Sequence, residues 1–549
     1  MGGSNACRPM PAVAPLIADK RGDVVTRFTF QQGEASGCGR CCPEEVPIVI
    51  TRRRFLSGAA ATAALAGALP RLARAAAPVE LTVSTRSLEV GGKAATVFGI
   101  LRPDGGQGLR AVAGGDFRVR LTNGLSEPSL VHWHGLTPPW RQDGVPGVSQ
   151  DPLPPGVGYD YAFPLARPGT NWMHSHLGLQ EQSLLAAPLI IADPAEAGLD
   201  EQEVVLMLHD FSFRDPAEIM AGLRGGQGHG MAGMQGMARM NHGSQGMAGM
   251  DHSGHDMSGM SMGSAKPTPG MQHDMQGMAM DLNDVEYDAY LANDRTLADP
   301  EVVRVERGGR VRLRIINGAA ATNFHINLGA IEGTLVAVDG MPVAPVIGTR
   351  FPIAIAQRLD IRLTVPAGRA LPVLALREGD RQRTGLVLAT PAAKVARIAD
   401  LGEHKAAALD LAFEATLRAT EPLADRPADR TIPVELAGDM ASYVWTLNGK
   451  VHGRDTPLAV RQGERVALVM SNPSMMAHPM HLHGHHFQVV AIDGQALSGA
   501  RRDTVLVPPG KTVTVAFDAD NPGRWAFHCH HLYHMEGGMM TTVEYEDVS

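Results

Sequence analysis

One sulfur constrains this chain more than any other feature. Cys529 lies in WAFHCHHLYHMEGGMM, residues 525–540, with a histidine on either side at positions 528 and 530. In an extended strand, side chains two apart share a face and neighbours point oppositely. His528 and His530 therefore project one way and Cys529 the other, so one strand serves two sites. On the sulfur side, His534 follows after a short turn and Met539 five residues later. Thiolate, imidazole and thioether are the donor set of a blue-copper electron-transfer centre.

The same parity locates the remaining ligands. In HPMHLH, His478 to His483, His481 and His483 share a face and His478 takes the other. His478 can then complete the centre at Cys529, while His481 and His483 join His528 and His530. Two further pairs, His132 with His134 and His174 with His176, bring the second cluster to eight imidazoles. Eight nitrogens exceed what one metal takes and suffice for three coppers with open positions. A structural zinc site, with four ligands and paired cysteines, does not match.

The motifs HxH, HxH, HxxHxH and HCHxxxHxxxxM, in this order, resemble the multicopper oxidase family over roughly residues 78–549. A single HxH would say little; four with correct internal spacing are specific. The resemblance implies four copper ions: a type 1 ion at His478, Cys529, His534 and axial Met539, a type 2 ion at His132 and His481, and a type 3 pair at His134, His174, His530 and at His176, His483, His528. It also implies that electrons pass from Cys529 through the backbone to His528 and His530, and that Asp143, nine residues beyond His134, relays protons to dioxygen as a general acid. The chain departs from cuprous oxidases of this family at two places. Met535 and Ser474 stand where those enzymes carry acidic residues, which leaves Met475, Met476 and Met535 as candidate Cu(I) contacts.

Cysteine usage suits this reading. Cys7, Cys38, Cys41 and Cys42 all precede residue 51, so Cys529 is alone in the main body and no disulfide framework can form there. Residues 51–77 open with TRRRFLS and continue through an alanine-rich apolar run to small residues at Ala73, Ala75, Ala76 and Ala77, resembling a twin-arginine export signal. The run is too short to span a bilayer and contains Pro70, so it reads as a removed signal and not an anchor. Such signals begin a protein, and residues 1–50 accordingly read as a non-native or disordered extension, with the true start near Val49 or Ile50. Export by the twin-arginine machinery places the mature chain in the periplasm. A net charge of -8 without a dense basic stretch gives no reason to expect a nucleic-acid partner.

Alternating apolar residues punctuated by glycine and proline predict an all-β chain. Its three internal copies, GDFRVRLTN ending at Asn123, GRVRLRIIN ending at Asn317 and GERVALVMSN ending at Asn472, predict three related β-sandwiches, which the family resemblance makes cupredoxin-like Greek keys. The expected boundaries are 78–195, 200–391 and 430–549, with 392–429 as a connector. PGTNWMHSH, residues 168–176, matches PGRWAFHCH, residues 522–530, with Ser175 in the place of Cys529. The first domain should therefore hold no blue copper. The middle copy keeps only His325 of its HxH, a core or vestigial residue. First and third domains should face one another and share the imidazole cluster.

Residues 221–281 break from this pattern. Fourteen of the 27 methionines fall from Met220 to Met280, mixed with glycine, serine and five histidines. The glycine content disfavours helix, and thioethers select Cu(I) over harder ions, so the insert reads as a mobile copper-capturing segment. The function expected is oxidation of Cu(I) to Cu(II), coupled to reduction of dioxygen to water, in copper tolerance. A laccase-like oxidase of phenols or aromatic amines is the alternative, and a copper buffer without turnover the reading from another class.

Overall fold

The structure is a computed structural model that describes residues 77–225, 282–306 and 308–548, together with two short paired strands, Ile17–Ala18 and Val24–Val25. Residues 51–76 of the segment 51–77 read as an export signal, most of the N-terminal extension, and residues 226–281 of the methionine-rich insert lie outside the described residues. Residues 78–549 form one compact unit.

Three cupredoxin-like β-sandwiches follow one another in that unit, with strands from Val79 to Ala192, Gln202 to Ala389 and Arg430 to Tyr545. Each repeated segment is a central strand of its own sandwich: Asp116–Asn123, Arg310–Asn317 and Arg465–Ser471. Each pairs in parallel with the first strand of that sandwich and antiparallel with a later one. Alternation drives the packing. In Asp116–Asn123, Phe117, Val119 and Leu121 turn inward to meet Met173, Leu189 and Ile191 of the facing sheet. Burying each such side chain contributes about 1.5–3 kcal/mol. The second and third sandwiches share one continuous core, in which Leu313, Ile361 and Phe324 belong to the same apolar cluster as Val515, Phe527 and Val543.

The asparagine that ends each repeat has a common structural task. Asn123 donates its amide hydrogens to the carbonyls of Glu127 and Leu153, Asn317 to those of Thr322 and Ile353, and Asn472 to those of Met476 and Val507. Each buried amide ties the strand end to the loop that follows, and in the first and third sandwiches that loop leads to the HxH.

Three features differ from the sequence reading or sharpen it. Ala221–Arg224, assigned to the insert, are the last turn of a helix, Pro216–Arg224, because Asp215 caps its N-terminus and Ile219, Met220 and Leu223 are buried. Residues 392–429 carry little regular structure beyond a single 3-10 turn, Glu414–Thr416, yet they are pinned. Leu409, Leu411 and Leu417 are buried, and backbone bonds join Ala344 to Arg418 and Ala419 to Gly499. His325 stands apart from the other imidazoles, its Nε2 3.0 Å from the Ala407 carbonyl.

Candidate metal centre

Strand pairing builds the centre. Arg524–Cys529 lies antiparallel to His478–Leu482, with Met480 opposite Cys529 and His481 opposite His528. Directly opposed residues share a face, so Cys529 and His478 look one way while His528, His481 and His483 look the other. His534 arrives on the short helix Leu532–Glu536. Its carbonyl accepts from the Met539 N–H, and the Met539 carbonyl accepts from the Cys529 N–H, which brings the backbone of Met539 beside that of Cys529.

On the sulfur face, His478 Nδ1, His534 Nδ1 and Cys529 Sγ form a triangle with sides of 3.2, 3.6 and 3.7 Å. These separations suit a single ion about 2.0–2.3 Å from each donor. All three residues and Met539 are fully buried. Trp445 covers the pair of rings, 4.0 Å from His534 and 5.2 Å from His478 by centroid. His478 keeps its other nitrogen, Nε2, 2.8 Å from Ser474 Oγ. Burial pushes the Cys529 thiol above its ordinary range and lowers His534 to about 3. Without a cation the cysteine here is a protonated thiol, and a metal ion is what would make it thiolate.

On the opposite face, the eight imidazoles of His132, His134, His174, His176, His481, His483, His528 and His530 converge from the first and third sandwiches. Their nitrogens group in three. His528 Nε2 is 3.2 Å from His176 Nε2 and 3.0 Å from His483 Nε2, a triplet. His174 Nε2 and His530 Nε2 are 3.4 Å apart, with the His134 ring 5.6 and 5.1 Å from theirs. His132 Nε2 and His481 Nε2 have no hydrogen-bond partner among the described residues.

The outward nitrogens account for this orientation. His132 Nδ1 donates to the Asp143 carbonyl, His483 Nδ1 to Asp143 Oδ2, His481 Nδ1 to the Asp503 carbonyl, and His528 Nδ1 to the Cys529 carbonyl, all at 2.8–2.9 Å. Each bond fixes the tautomer that leaves Nε2 a lone pair. His134 is reversed: Nε2 donates to Asp503 Oδ1 at 3.1 Å, and it is Nδ1 that is left without a partner. Burial, followed by the charges of neighbouring rings, holds His134, His174, His176, His481, His483 and His530 well below the usual imidazole range; His528 is lowered to about 4. Neutral, buried, inward-aimed nitrogens without partners are the mark of a metal cradle, and the nitrogen-rich donor set suits copper.

Asp143 thus clamps one imidazole from the first sandwich and one from the third. The backbone of its neighbour Gly144 has φ +81°, and a Cβ there would collide with the Val131 carbonyl. Four groups absent from the sequence reading complete the support. Glu181 Oε2 is 2.7 Å from His174 Nδ1, and burial raises its carboxyl well above the ordinary range. Asp503 is held by a two-pronged bond from Arg358, with Nη1–Oδ1 at 2.7 Å and Nη2–Oδ2 at 2.5 Å, so the second sandwich, which supplies none of the eight imidazoles, secures His134 and His481 indirectly. Asp284 reaches the other face, its Oδ2 3.6 Å from His534 Nε2. Glu181 carries a faint local signal, five residues past His176. Asp503, Arg358 and Asp284 carry none.

The methionine candidates have separate surroundings. Met475 is 41% exposed, Met476 is buried in the core, and Met535 packs against Val145, Val148, Ala526 and Met540.

Known proteins share this architecture. Three multicopper oxidase family models match residues 83–196, 259–384 and 425–549. Multicopper oxidase MmcO of Mycobacterium tuberculosis is 32% identical over 85% of this chain and 86% of its own length. A copper resistance protein A homolog of Pseudomonas syringae is 27% identical over 91% of this chain and 100% of its own. Among solved structures, a laccase from Botrytis aclada superposes with a TM-score of 0.67 at 22% identity, covering 84% of this chain and 86% of its own.

Proposed function

Since the chain belongs to the multicopper oxidase family, we infer that its reductant is Cu(I), oxidised to Cu(II) while dioxygen becomes water, in the service of copper tolerance. Four substrate ions give four electrons, and with four protons these convert one dioxygen to two waters. His478, Cys529, His534 and Met539 would hold a type 1 ion; His132 and His481 a type 2 ion; His134, His174, His530 and His176, His483, His528 the two type 3 ions. Copper bound in these places supplies one-electron redox steps and the reduction of dioxygen.

The protein's own part is position and exclusion of water. Cys529 is joined through one peptide bond to His528 and through another to His530, so the backbone links the two faces. Trp445 and the surrounding core keep solvent from Cys529. Asp143, against His132 and His483, is the buried carboxyl placed to carry protons, and it orients both rings as it does so. The sequence between 51 and 77 supports export to the periplasm, and no helix among the described residues is long and apolar enough to cross a membrane.

The observation that carries Cu(I) as substrate is where the methionine-rich segment leaves and rejoins the fold. Arg224, just before it, donates to the carbonyl of Glu536, and Asp284, just after it, faces His534. Both attachments lie on the helix that bears His534, so the soft-ligand segment starts and ends beside the sulfur-face centre. A laccase-like role remains the second reading, favoured by the 26% identity to laccase-1 of Botryotinia fuckeliana over 79% of this chain. Deleting residues 226–281 tests between them. Loss of Cu(I) oxidation with phenol oxidation retained or raised supports the cuprous reading; equal loss of both counts against it.

A further inference from the structure

Beside His534 lie a buried imidazole outside the copper cradle, His531, and the one oxygen of Asp284 that does not face His534. His531 follows the HCH triplet directly, is 4% exposed, and has no hydrogen-bond partner among the described residues at either ring nitrogen. Its Nε2 stands 3.2 Å from Oδ1 of Asp284, an oxygen likewise without a hydrogen-bond partner. Asp284 comes from the second sandwich and His531 from the third. The other carboxylate oxygen accepts a hydrogen bond from Tyr443 and faces His534 Nε2 at 3.6 Å. The His531 ring lies flat on that of His534, with centroids 3.8 Å apart and planes 11° from parallel.

Buried polar atoms are almost always paired, and an exception calls for an ion, a water or a function. A nitrogen and an oxygen 3.2 Å apart have the spacing of two donors to one small cation about 2 Å from each. An ion between them would touch the ring whose far nitrogen faces Cys529, so only the His534 imidazole separates it from the sulfur-face centre. The donor chemistry also has a direction. Imidazole suits copper, whereas a hard carboxylate favours the more highly charged ion, so a carboxylate beside a bound cuprous ion stabilises the cupric product more than the reactant.

The geometry points to His531 and Asp284 as the docking pair for the substrate Cu(I), an assignment that rests on the cuprous reading above. A cuprous ion bound by His531 Nε2 and Asp284 Oδ1 gives up one electron through the stacked His534 ring, is left as Cu(II) with Asp284 balancing the added charge, and departs. Dioxygen is the final acceptor, one molecule for four such ions.

The test uses the full copper-loaded protein and Ag(I), a soft monovalent cation with no electron to give under these conditions. Wild type, His531→Leu, His531→Met and Asp284→Asn are titrated with Ag(I) while the blue absorption band is followed, and the KM and kcat for Cu(I) are measured on the same samples. In wild type, Ag(I) bound against His534 shifts the band. In His531→Leu that shift requires at least about tenfold more Ag(I), and KM for Cu(I) rises by a similar factor, a change of one decade in affinity. His531→Met, which restores a soft donor, recovers part of both. His531→Leu keeps the buried Asp284–Tyr443 bond, and the blue band reports that its centre is assembled even if Asp284→Asn misfolds. An Ag(I) response and Cu(I) KM unchanged in His531→Leu, with wild type oxidising Cu(I), overturn the docking pair and leave the cuprous reading intact. Wild type that oxidises phenols but not Cu(I) overturns both.

Discussion

Arg358 is the most exacting test of how the second sandwich supports copper. Its guanidinium is fully buried, grips both oxygens of Asp503, and donates to the carbonyls of Thr170 and Ala356 at 3.1 Å. Arg358→Met keeps a long apolar side chain and removes the charge, leaving the carboxylate of Asp503 buried without its counter-ion. Breaking one side of such a pair costs about 3–5 kcal/mol. Asp503 also holds His134 through its side chain and His481 through its carbonyl, and losing a partner of that kind lowers metal affinity about 10–100-fold. The variant should therefore unfold at markedly lower denaturant than wild type in the metal-free form, and after copper loading should bind fewer ions on the imidazole face, with the blue band at Cys529 kept. Adding Asp503→Asn removes the stranded charge while keeping an oxygen to face His134. The double variant should regain part of the stability, with a coupling of about 0.5–3 kcal/mol between the sites. Single and double variants of equal stability, or full copper occupancy in Arg358→Met, would refute the proposed support.

Cys529→Ser should abolish both the blue band and turnover, because a hydroxyl supplies no thiolate; a blue, active variant would remove the sulfur-face centre from the account. Asp143→Asn should retain the blue band while slowing dioxygen reduction by about 10–100-fold, the range for disturbing a ligand's supporting bond, and unchanged oxygen consumption would exclude Asp143 from that role. For the metal-free protein, buried imidazoles whose folded values lie below 6.5, among them His528 at about 4 and His534 at about 3, set the sign of the pH dependence. Above 6.5 neither folded nor unfolded chain protonates them. Below it the unfolded chain takes up protons first, so stability falls with pH between about 6.5 and 3, by up to about 1.4 kcal/mol per pH unit for each group. Denaturation midpoints that do not change from pH 7 to pH 5 in the metal-free protein would contradict this.

Much of the fold was legible in the chain because its signals are local. Alternation with a period of two set the strands, and the three copies ending in asparagine marked equivalent strands whose amides then proved to tie equivalent loops. Parity alone separates Cys529 from His528 and His530, since the pleat leaves neighbouring side chains no choice of face. Helical residues Ala221–Arg224 were hidden because composition changes at the glycines beyond them, whereas the buried face of Ile219, Met220 and Leu223 extends into that turn.

What tertiary structure decided is which distant groups support and surround the imidazoles. No spacing rule connects Arg358 to Asp503, Asp143 to His483, or Asp284 to His531, because each pair meets only when two sandwiches pack. Even which ring nitrogen is left for a metal depends on that packing: Asp503 turns His134 to leave Nδ1, while backbone and carboxylate acceptors leave Nε2 in His132, His481, His483 and His528. Strand pleating is a property of neighbouring residues and can be read from sequence; a carboxylate's burial and partners come from the whole fold, and only coordinates reveal them.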